Sequence, residues 1–119
     1  MTRLTLRIDF DNARQLGPGK IRLLELIREH GSISAAGRLM GMSYRRAWAL
    51  VASLNETFAE PLITARTGGV GGGSAELTAK GHEVIRCYRA IEAHAAAAST
   101  AELRTLKRSL ARAPRDPAH

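Results

Sequence analysis

Two helical segments of unequal length meet at Gly41, and this junction constrains the fold more than any other feature. Apolar periodicity predicts a short helix that ends at Met40 and a longer helix over about 44–58. The absence of a side chain at Gly37 lets two helices cross closely, Gly41 permits a sharp turn, and Ala47 fits the shared interface. This spacing is that of a helix-turn-helix, although helical hairpins that bind no nucleic acid show it as well.

The start of the longer helix carries the residues best suited to bind DNA. Ser43 is placed to cap the helix, and the free amides and dipole at such an end favour an approaching phosphate. Tyr44, Arg45 and Arg46 follow at the end that would enter a major groove. Arginine binds guanine through two hydrogen bonds, although phosphate contacts are its commoner use. The alternative interpretation is a solvated helix face without a ligand.

Two serines precede the short helix. Ser32 and Ser34 are both plausible N-caps, because either hydroxyl can accept a hydrogen bond from an unpaired amide. Ser34 is also included among the candidate DNA contacts.

The distribution of charge favours a polyanionic partner. Lys and Arg number 18 against 11 Asp and Glu, which gives a net charge of +7. The isoelectric point is near 10.7. Residues 30–55 contain three arginines and no acidic residue, and residues 61–75 contain Arg66 and no acidic residue. We therefore expect a positive surface around the helix-turn-helix and the segment that follows it.

A β-hairpin is predicted after the longer helix. Residues 62–66 and 75–77 are strand-like and flank a glycine-rich stretch over 67–74. This stretch lacks the Gly-Lys-Ser/Thr ending of a nucleotide-binding P-loop. A hairpin wing suits it better, since glycines let backbone amides approach phosphates, and the alternative is a mobile loop without a ligand. The candidate phosphate contacts in the wing are Arg66, Thr67, Gly68, Gly69 and Gly71.

The chain before the junction is predicted to contain a strand and a helix. Residues 2–10 alternate, with Leu4, Leu6, Ile8 and Phe10 on one face, and this alternation predicts a half-buried strand. Residues 18–30 show helical spacing between Pro18 and the stop at Gly31.

The chain after the wing is predicted to be helical. Thr78 is placed to cap a helix whose seam of apolar residues is spaced as in a coiled coil. The candidate dimerisation residues on this seam are Val84, Tyr88, Ile91 and Ala95. Ser99 and Glu102 are spaced as in a capping box, so we expect a break there and a terminal helix carrying Leu103, Leu106 and Leu110. One domain over 1–112 is expected, followed by a disordered basic tail over 113–119.

Composition and motifs argue against several other classes of protein. No paired carboxylates or nucleophile elbow support an enzyme, and the single Cys87 and scattered histidines support neither a disulfide nor a metal site. We expect no cofactor. Trp48 borders an apolar stripe, so core packing is favoured over base stacking. No stretch is long enough to span a membrane and the N-terminus is unlike a signal peptide, so a cytoplasmic location is expected.

With these residues in place, the chain is similar to the N-terminal DNA-binding domain of ModE-type molybdate-responsive transcription regulators. The resemblance spans about residues 18–92. It is carried by Gly31-Ser32-Ile33-Ser34, by the segment from Gly41 to Trp48, by the segment from Thr67 to Ser74, and by Leu77-Thr78 and Gly81. Regulators of the LysR type look similar over the first three helices, but their wings usually lack this glycine run.

The resemblance implies a mainly α fold with a small β component: a winged helix-turn-helix with an N-terminal strand, a β-hairpin wing and a C-terminal dimerisation helix. It also implies a homodimer, formed through the N-terminal strand region and the helix after the wing, that binds double-stranded operator DNA with two half-sites. The chain ends where the molybdate-binding domains of these regulators would begin. We therefore expect a stand-alone DNA-binding subunit that does not itself bind molybdate.

Two alternatives from other classes remain at this stage. One is a protein-interaction or dimerisation module that modulates a larger regulator without binding an operator itself. The other is a small enzyme or nucleotide-binding protein, which nucleotide or oxyanion would stabilise against heat.

Overall fold

The structure is a computed structural model that describes residues 2–66 and 73–112. Three helices form its first half, namely α1 over Pro18–His30, α2 over Ile33–Leu39 and α3 over Tyr44–Thr57. These bounds confirm the helices predicted from the sequence to within a residue. Gly31 ends α1 with a φ of 67°, and its amide donates to the Ile27 carbonyl at 2.8 Å. The left-handed backbone at Gly31 explains why the apolar periodicity stops there.

The N-terminal segment differs from the predicted strand over 2–10. Only Ile8–Asp9 forms a strand, β1, which pairs antiparallel with β2 at Gln15–Leu16. Residues 2–7 are not a strand because, within the described part of the chain, no second strand lies beside them to complete a ladder. The predicted alternation is nevertheless present, since Leu4 and Leu6 are half-buried while their neighbours are exposed.

The predicted hairpin is present as β3 over Ile63–Arg66 and β4 over Ser74–Leu77. The strands are antiparallel, with Ile63 opposite Leu77 and Arg66 opposite Ser74. The other edge of β4 is tied to the end of α1, because the Ala75 amide donates to the Gly31 carbonyl at 2.9 Å. The wing therefore starts from a fixed base beside the helix-turn-helix.

Two helices complete the described chain, α4 over Ala79–Ala98 and α5 over Thr100–Arg108. Thr78 caps α4 as predicted, its hydroxyl accepting from the Gly81 amide at 3.0 Å. The break near Ser99 is confirmed, but the predicted capping box is wrong. The Ser99 hydroxyl donates to the Ala95 carbonyl at 2.5 Å, so it faces back along α4 instead of capping α5.

The terminal helix carries fewer of the predicted leucines than expected. Leu103 is half-buried and Leu106 is exposed, while Leu110 lies beyond the end of α5 at Arg108. No residue of α5 is buried in the chain's own core. The predicted tail over 113–119 lies outside the described residues.

A single cluster of buried apolar side chains joins α1, α2, α3, the wing strands and the first half of α4. Its largest fully buried members are Ile21, Leu23, Leu24, Ile27, Leu54, Leu62 and Tyr88. Helices therefore pack on one another and on a two-stranded hairpin, which is the architecture of a winged helix-turn-helix. Within the described residues, no helix combines the length and apolar character needed to cross a membrane.

Candidate nucleic-acid interface

The turn between α2 and α3 is built as the glycine spacing predicts. Gly41 has a φ of 70°, a conformation that side chains disfavour. The Met42 amide donates to the Gly37 carbonyl at 3.0 Å. A Cβ at Gly37 would lie 2.9 Å from the Cβ of Ala47, closer than two such atoms can pack. The two helices therefore touch at this point, and the direction of α3 follows from it.

The start of α3 presents a polar and cationic tip. The Ser43 hydroxyl accepts from the Arg46 amide at 3.1 Å, which confirms the predicted N-cap. Tyr44, Arg45 and Arg46 are exposed, and Tyr44 keeps 62% of its surface. On the opposite side, Ala47 is fully buried and anchors the helix to the core.

The outer face of α3 beyond this tip carries small side chains. Ala49, Ala52 and Ser53 are exposed and follow Arg45 at the spacing of one helix face. A face of this kind lets the backbone approach a groove floor closely, and alanine methyls can contact thymine methyl groups. Sequence reasoning named the tip and missed this face, although the small residues at helical spacing were its signal.

A small cleft brings together predicted residues from three elements. Its volume is about 70 Å³, and its walls come from the start of α2, the start of α3 and the wing strands. Three of the predicted DNA contacts line it, namely Ser34, Tyr44 and Arg66. The cap of α2 is Ser32, whose hydroxyl accepts from the Ala35 amide at 3.1 Å. Ser34 is therefore not the cap, and it lines the cleft.

Trp48 forms part of the same wall. It is half-buried and packs against the core, as the sequence predicted, and its ring centroid lies 6.0 Å from that of Tyr44. Its indole Nε1–H is buried without an acceptor among the residues that the structure describes. Trp48 thus lies between the core and Tyr44, and its main role is packing.

Among the residues that the structure describes, the arginines of this surface belong to those that make no ion pair. Within the described ranges, no carboxylate lies within 4.0 Å of Arg38, Arg45, Arg46 or Arg66. By contrast, Arg14 contacts Asp11 at 2.5 Å, and Arg89 contacts Glu25 at 2.7 Å. The positive charge at the start of α3 and on β3 is therefore available to an external anion.

A larger groove of about 870 Å³ lies along the hairpin toward α1 and α4, and it has mixed charge. Arg28, Arg66 and His82 line it together with Glu76. Because a carboxylate repels phosphate, this groove suits a duplex less well than the smaller cleft, despite its size.

Four of the predicted wing contacts, Thr67, Gly68, Gly69 and Gly71, lie outside the described residues. Their first described neighbours are Arg66 at the end of β3 and Gly73 before β4, and both line the small cleft. The last described residues on both sides of the wing tip are therefore beside the tip of α3.

Asn55 is a residue of this region that sequence reasoning missed. Its Oδ1 accepts from the Leu62 amide at 2.8 Å and from the Ile63 amide at 3.0 Å. Its Nδ2 donates to the Ile63 carbonyl at 3.1 Å. The only signal in the sequence is an amide side chain beside Leu54 in the apolar stripe of a helix, where asparagine has low propensity.

The candidate dimerisation residues differ in how much of their surface is exposed. Val84 and Tyr88 are 7% and 1% exposed, because they pack into the core of their own chain. The Tyr88 hydroxyl also donates to the Leu6 carbonyl. They have little surface left for a partner, whereas Ile91 is 43% exposed and Ala95 is half-buried.

Comparison with known proteins places this architecture in a family. The sequence model of the lysR family of bacterial regulatory helix-turn-helix proteins matches residues 19–82, from α1 into α4. The chain belongs to this family. The match includes the turn at Gly41, the tip of α3 and both wing strands.

Individual relatives confirm the resemblance to ModE proteins. The chain is 46% identical over 79 residues to the molybdenum-pterin-binding protein MopB of Rhodobacter capsulatus, covering 66% of this chain and 29% of that protein. It is 37% identical over 87 residues to the molybdenum transport protein ModE of Azotobacter vinelandii, covering 73% and 32%. It is 39% identical over 71 residues to the DNA-binding transcriptional dual regulator ModE of Escherichia coli strain K12, covering 60% and 27%. The chain thus spans less than a third of the length of these relatives.

Proposed function

We propose that this protein is a transcription regulator that binds operator DNA sequence-specifically as a homodimer and performs no catalysis. Helix α3 lies in the major groove in this proposal, and the wing contacts the flanking backbone. The cleft that joins Ser34, Tyr44 and Arg66 is the observation that supports it most, because it sets the α3 tip and the end of β3 side by side. Such binding takes place where bacterial DNA lies, in the cytoplasm.

The chemistry of the tip suits a duplex. Arg45 and Arg46 are exposed and lack carboxylate partners among the described residues, so binding a phosphate breaks no ion pair there. Each phosphate contact of this kind releases counterions, which makes affinity fall with salt. Base contacts by Tyr44, the arginines and the small outer face of α3 supply sequence preference.

The homodimer is supported by an exposed apolar surface away from the cleft. A cavity of about 260 Å³ is lined by Ile8, Phe10, Leu16, Phe58, Lys80, Glu83, Val84, Cys87, Tyr88 and Ile91. Phe10 at its rim is 50% exposed, beside the exposed Ile91. A second copy related by a two-fold axis would cover this surface and set the two α3 helices about 34 Å apart, one turn of DNA.

The proposal is tested by selecting bound fragments from genomic DNA and measuring their affinity across a salt series. The double substitution Arg45→Ala and Arg46→Ala should raise Kd by about tenfold or more and lower the salt slope by about one to two per protomer. The control is Arg104→Ala with Lys107→Ala, which removes the same charge from exposed positions of α5. Its affinity should stay within about threefold of the parental protein, because only long-range steering is reduced.

The outcomes separate the candidate functions. Equal losses in the two double variants would show that binding follows net charge alone, and would remove Arg45 and Arg46 from sequence recognition. If the parental chain selects no fragment at all, operator binding fails and the protein-interaction module is favoured instead.

A further inference from the structure

We propose that Asn55 is a positioning residue that fixes the angle of the wing relative to α3, so that both elements meet one duplex at a set spacing. This inference rests on the proposed function, and it concerns a residue that does not itself contact DNA.

The side chain of Asn55 takes the place of a neighbouring strand. One edge of β3 pairs with β4, and at the opposite edge Ile63 turns both of its backbone groups toward Asn55. The side chain uses its acceptor twice and its donor once, so it satisfies three backbone groups at residues 62 and 63. Few residue types can do this, since a carboxylate has no donor and a hydroxyl is too short to bridge both groups. We call residues 61–63 the root of the wing.

The same root is fixed from the side of α4, which leaves Asn55 as the connection to α3. The Thr78 amide donates to the Leu62 carbonyl at 2.9 Å, and the Thr78 hydroxyl donates to the Pro61 carbonyl at 2.7 Å. A Cβ on Gly81 would lie 2.3 Å from that Leu62 carbonyl oxygen, so α4 approaches the root as closely as a backbone can. Contacts with α4 set the position of the root, and the bonds to Asn55 set its orientation toward α3.

The orientation of the root determines where the phosphate-binding residues of the wing, such as Arg66, are placed. Arg66 lies three residues after Ile63, which is about 10 Å along a strand. A tilt of about 10° at the root therefore displaces Arg66 by about 2 Å, enough to break a direct phosphate contact. Asn55 lies on α3 itself, in the turns that follow the tip carrying Tyr44. It thus ties the wing to the very helix whose tip reads the groove.

The experiment is a pair of double-mutant cycles on a selected operator fragment. Asn55→Ala alone should raise Kd by about five- to tenfold, and the same substitution in an Arg66→Ala background should add less than about twofold. In an Arg45→Ala background it should add its full factor, because the contacts of the α3 tip do not pass through the wing. Thr57→Ala is the matched control and should leave Kd unchanged, because the Thr57 hydroxyl donates within α3, to the Ser53 carbonyl at 2.7 Å, and not to the wing.

Amide hydrogen exchange tests the positioning without DNA. In Asn55→Ala, protection of the Leu62 and Ile63 amides should fall by at least about tenfold, while the Ala75 amide, bonded to the Gly31 carbonyl, keeps its protection. If Asn55→Ala does not fold, Asn55→Ser is used in both measurements, since its hydroxyl is too short to bridge both backbone groups and adds no charge.

Three results would overturn the proposal. These are an unchanged Kd in the Asn55 variant, a Kd effect that multiplies fully with that of Arg66→Ala, or retained protection of the Leu62 and Ile63 amides. If the parental protein binds no fragment, the proposed function fails instead, and the exchange measurement still decides whether Asn55 holds the root of the wing.

Discussion

At the scale of single residues, the close approach of Gly37 to Ala47 determines how α2 and α3 cross. A methyl group on Gly37 would meet the Ala47 Cβ at 2.9 Å, and neither atom can move without its backbone. The contact explains why a glycine stands inside α2, where it costs helix stability relative to alanine.

Gly37→Ala should therefore lower the free energy of unfolding by about 1–3 kcal/mol through overpacking, measured by urea denaturation. Gly19→Ala is the matched control, because a Cβ there meets no atom within 4 Å and the site lies in the first turn of α1. That control should be neutral or stabilising by up to about 1 kcal/mol. Equal stability of the Gly37 variant and the parental protein would contradict the packing account.

Local chemistry at this scale was predictable from the sequence. The hydroxyls of Ser43 and Thr78 cap the helices as predicted, because a cap depends only on amides three residues away. Asn55 was missed because its partners, Leu62 and Ile63, lie at the start of the wing, beyond the end of its own helix. The packing of Val84 and Tyr88 into their own core could not be predicted, because a seam has the same spacing whether its own chain or a partner covers it.

At the scale of elements, an ion cluster joins α1 to α4. Arg89 donates to both carboxylate oxygens of Glu25, at 3.0 and 2.7 Å, and to Glu92 at 2.6 Å. These hydrogen bonds hold the pKa of Glu25 below its usual value of 4.5, although partial burial opposes them. The same bonds raise the pKa of Arg89 above its usual value.

The lowered pKa of Glu25 makes the link between the helices sensitive to acid. Its stabilisation is complete above the unfolded pKa near 4.5, and is lost as the pH falls through the lower folded value. Glu25→Gln should thus cost about 1–2 kcal/mol at neutral pH, and the difference from the parental protein should shrink between about pH 5 and pH 3. Urea denaturation over this range measures both.

Glu102→Gln, at an exposed position in the first turn of α5, is the control. Its free energy of unfolding should fall between about pH 5 and pH 3 just as that of the parental protein does. A difference between Glu25→Gln and the parental protein that stays constant down to about pH 3 would contradict the role of Glu25.

Elements were predictable where their signal is local. Helix bounds followed from periodicity and caps. The strand over 2–10 was predicted from alternating apolar residues, and the burial of these residues does alternate, although most of them form no strand. Leu4 and Leu6 turn inward as a strand would place them, but a strand also needs a neighbour, and the sequence does not say where one lies.

At the scale of the whole molecule, the small cleft beside the tip of α3 and the apolar cavity share no lining residue. The proposed DNA contact and the proposed dimer contact therefore use different surfaces of one copy. The proposed dimer surface lies between the N-terminal segment, which supplies Phe10, and the outer side of α4, which supplies Ile91. A charge introduced there would be desolvated on association, which is costly.

Ile91→Asp should consequently raise the dimer dissociation constant by at least about tenfold, measured by analytical ultracentrifugation. Ala93→Asp is the matched control, since Ala93 is exposed on the same helix and points about 200° away from Ile91. A monomeric parental protein, or equal effects of the two aspartates, would contradict this location of the interface.

The surface that meets DNA is the central claim, and amide chemical-shift mapping during titration with a selected operator fragment tests it most directly. The account predicts the largest changes at Ser34, at Ser43–Arg46, at Arg66 and at Gly73–Ser74, with little change on α5. Changes confined to α5 or to the apolar cavity, with the tip of α3 unaffected, would contradict it.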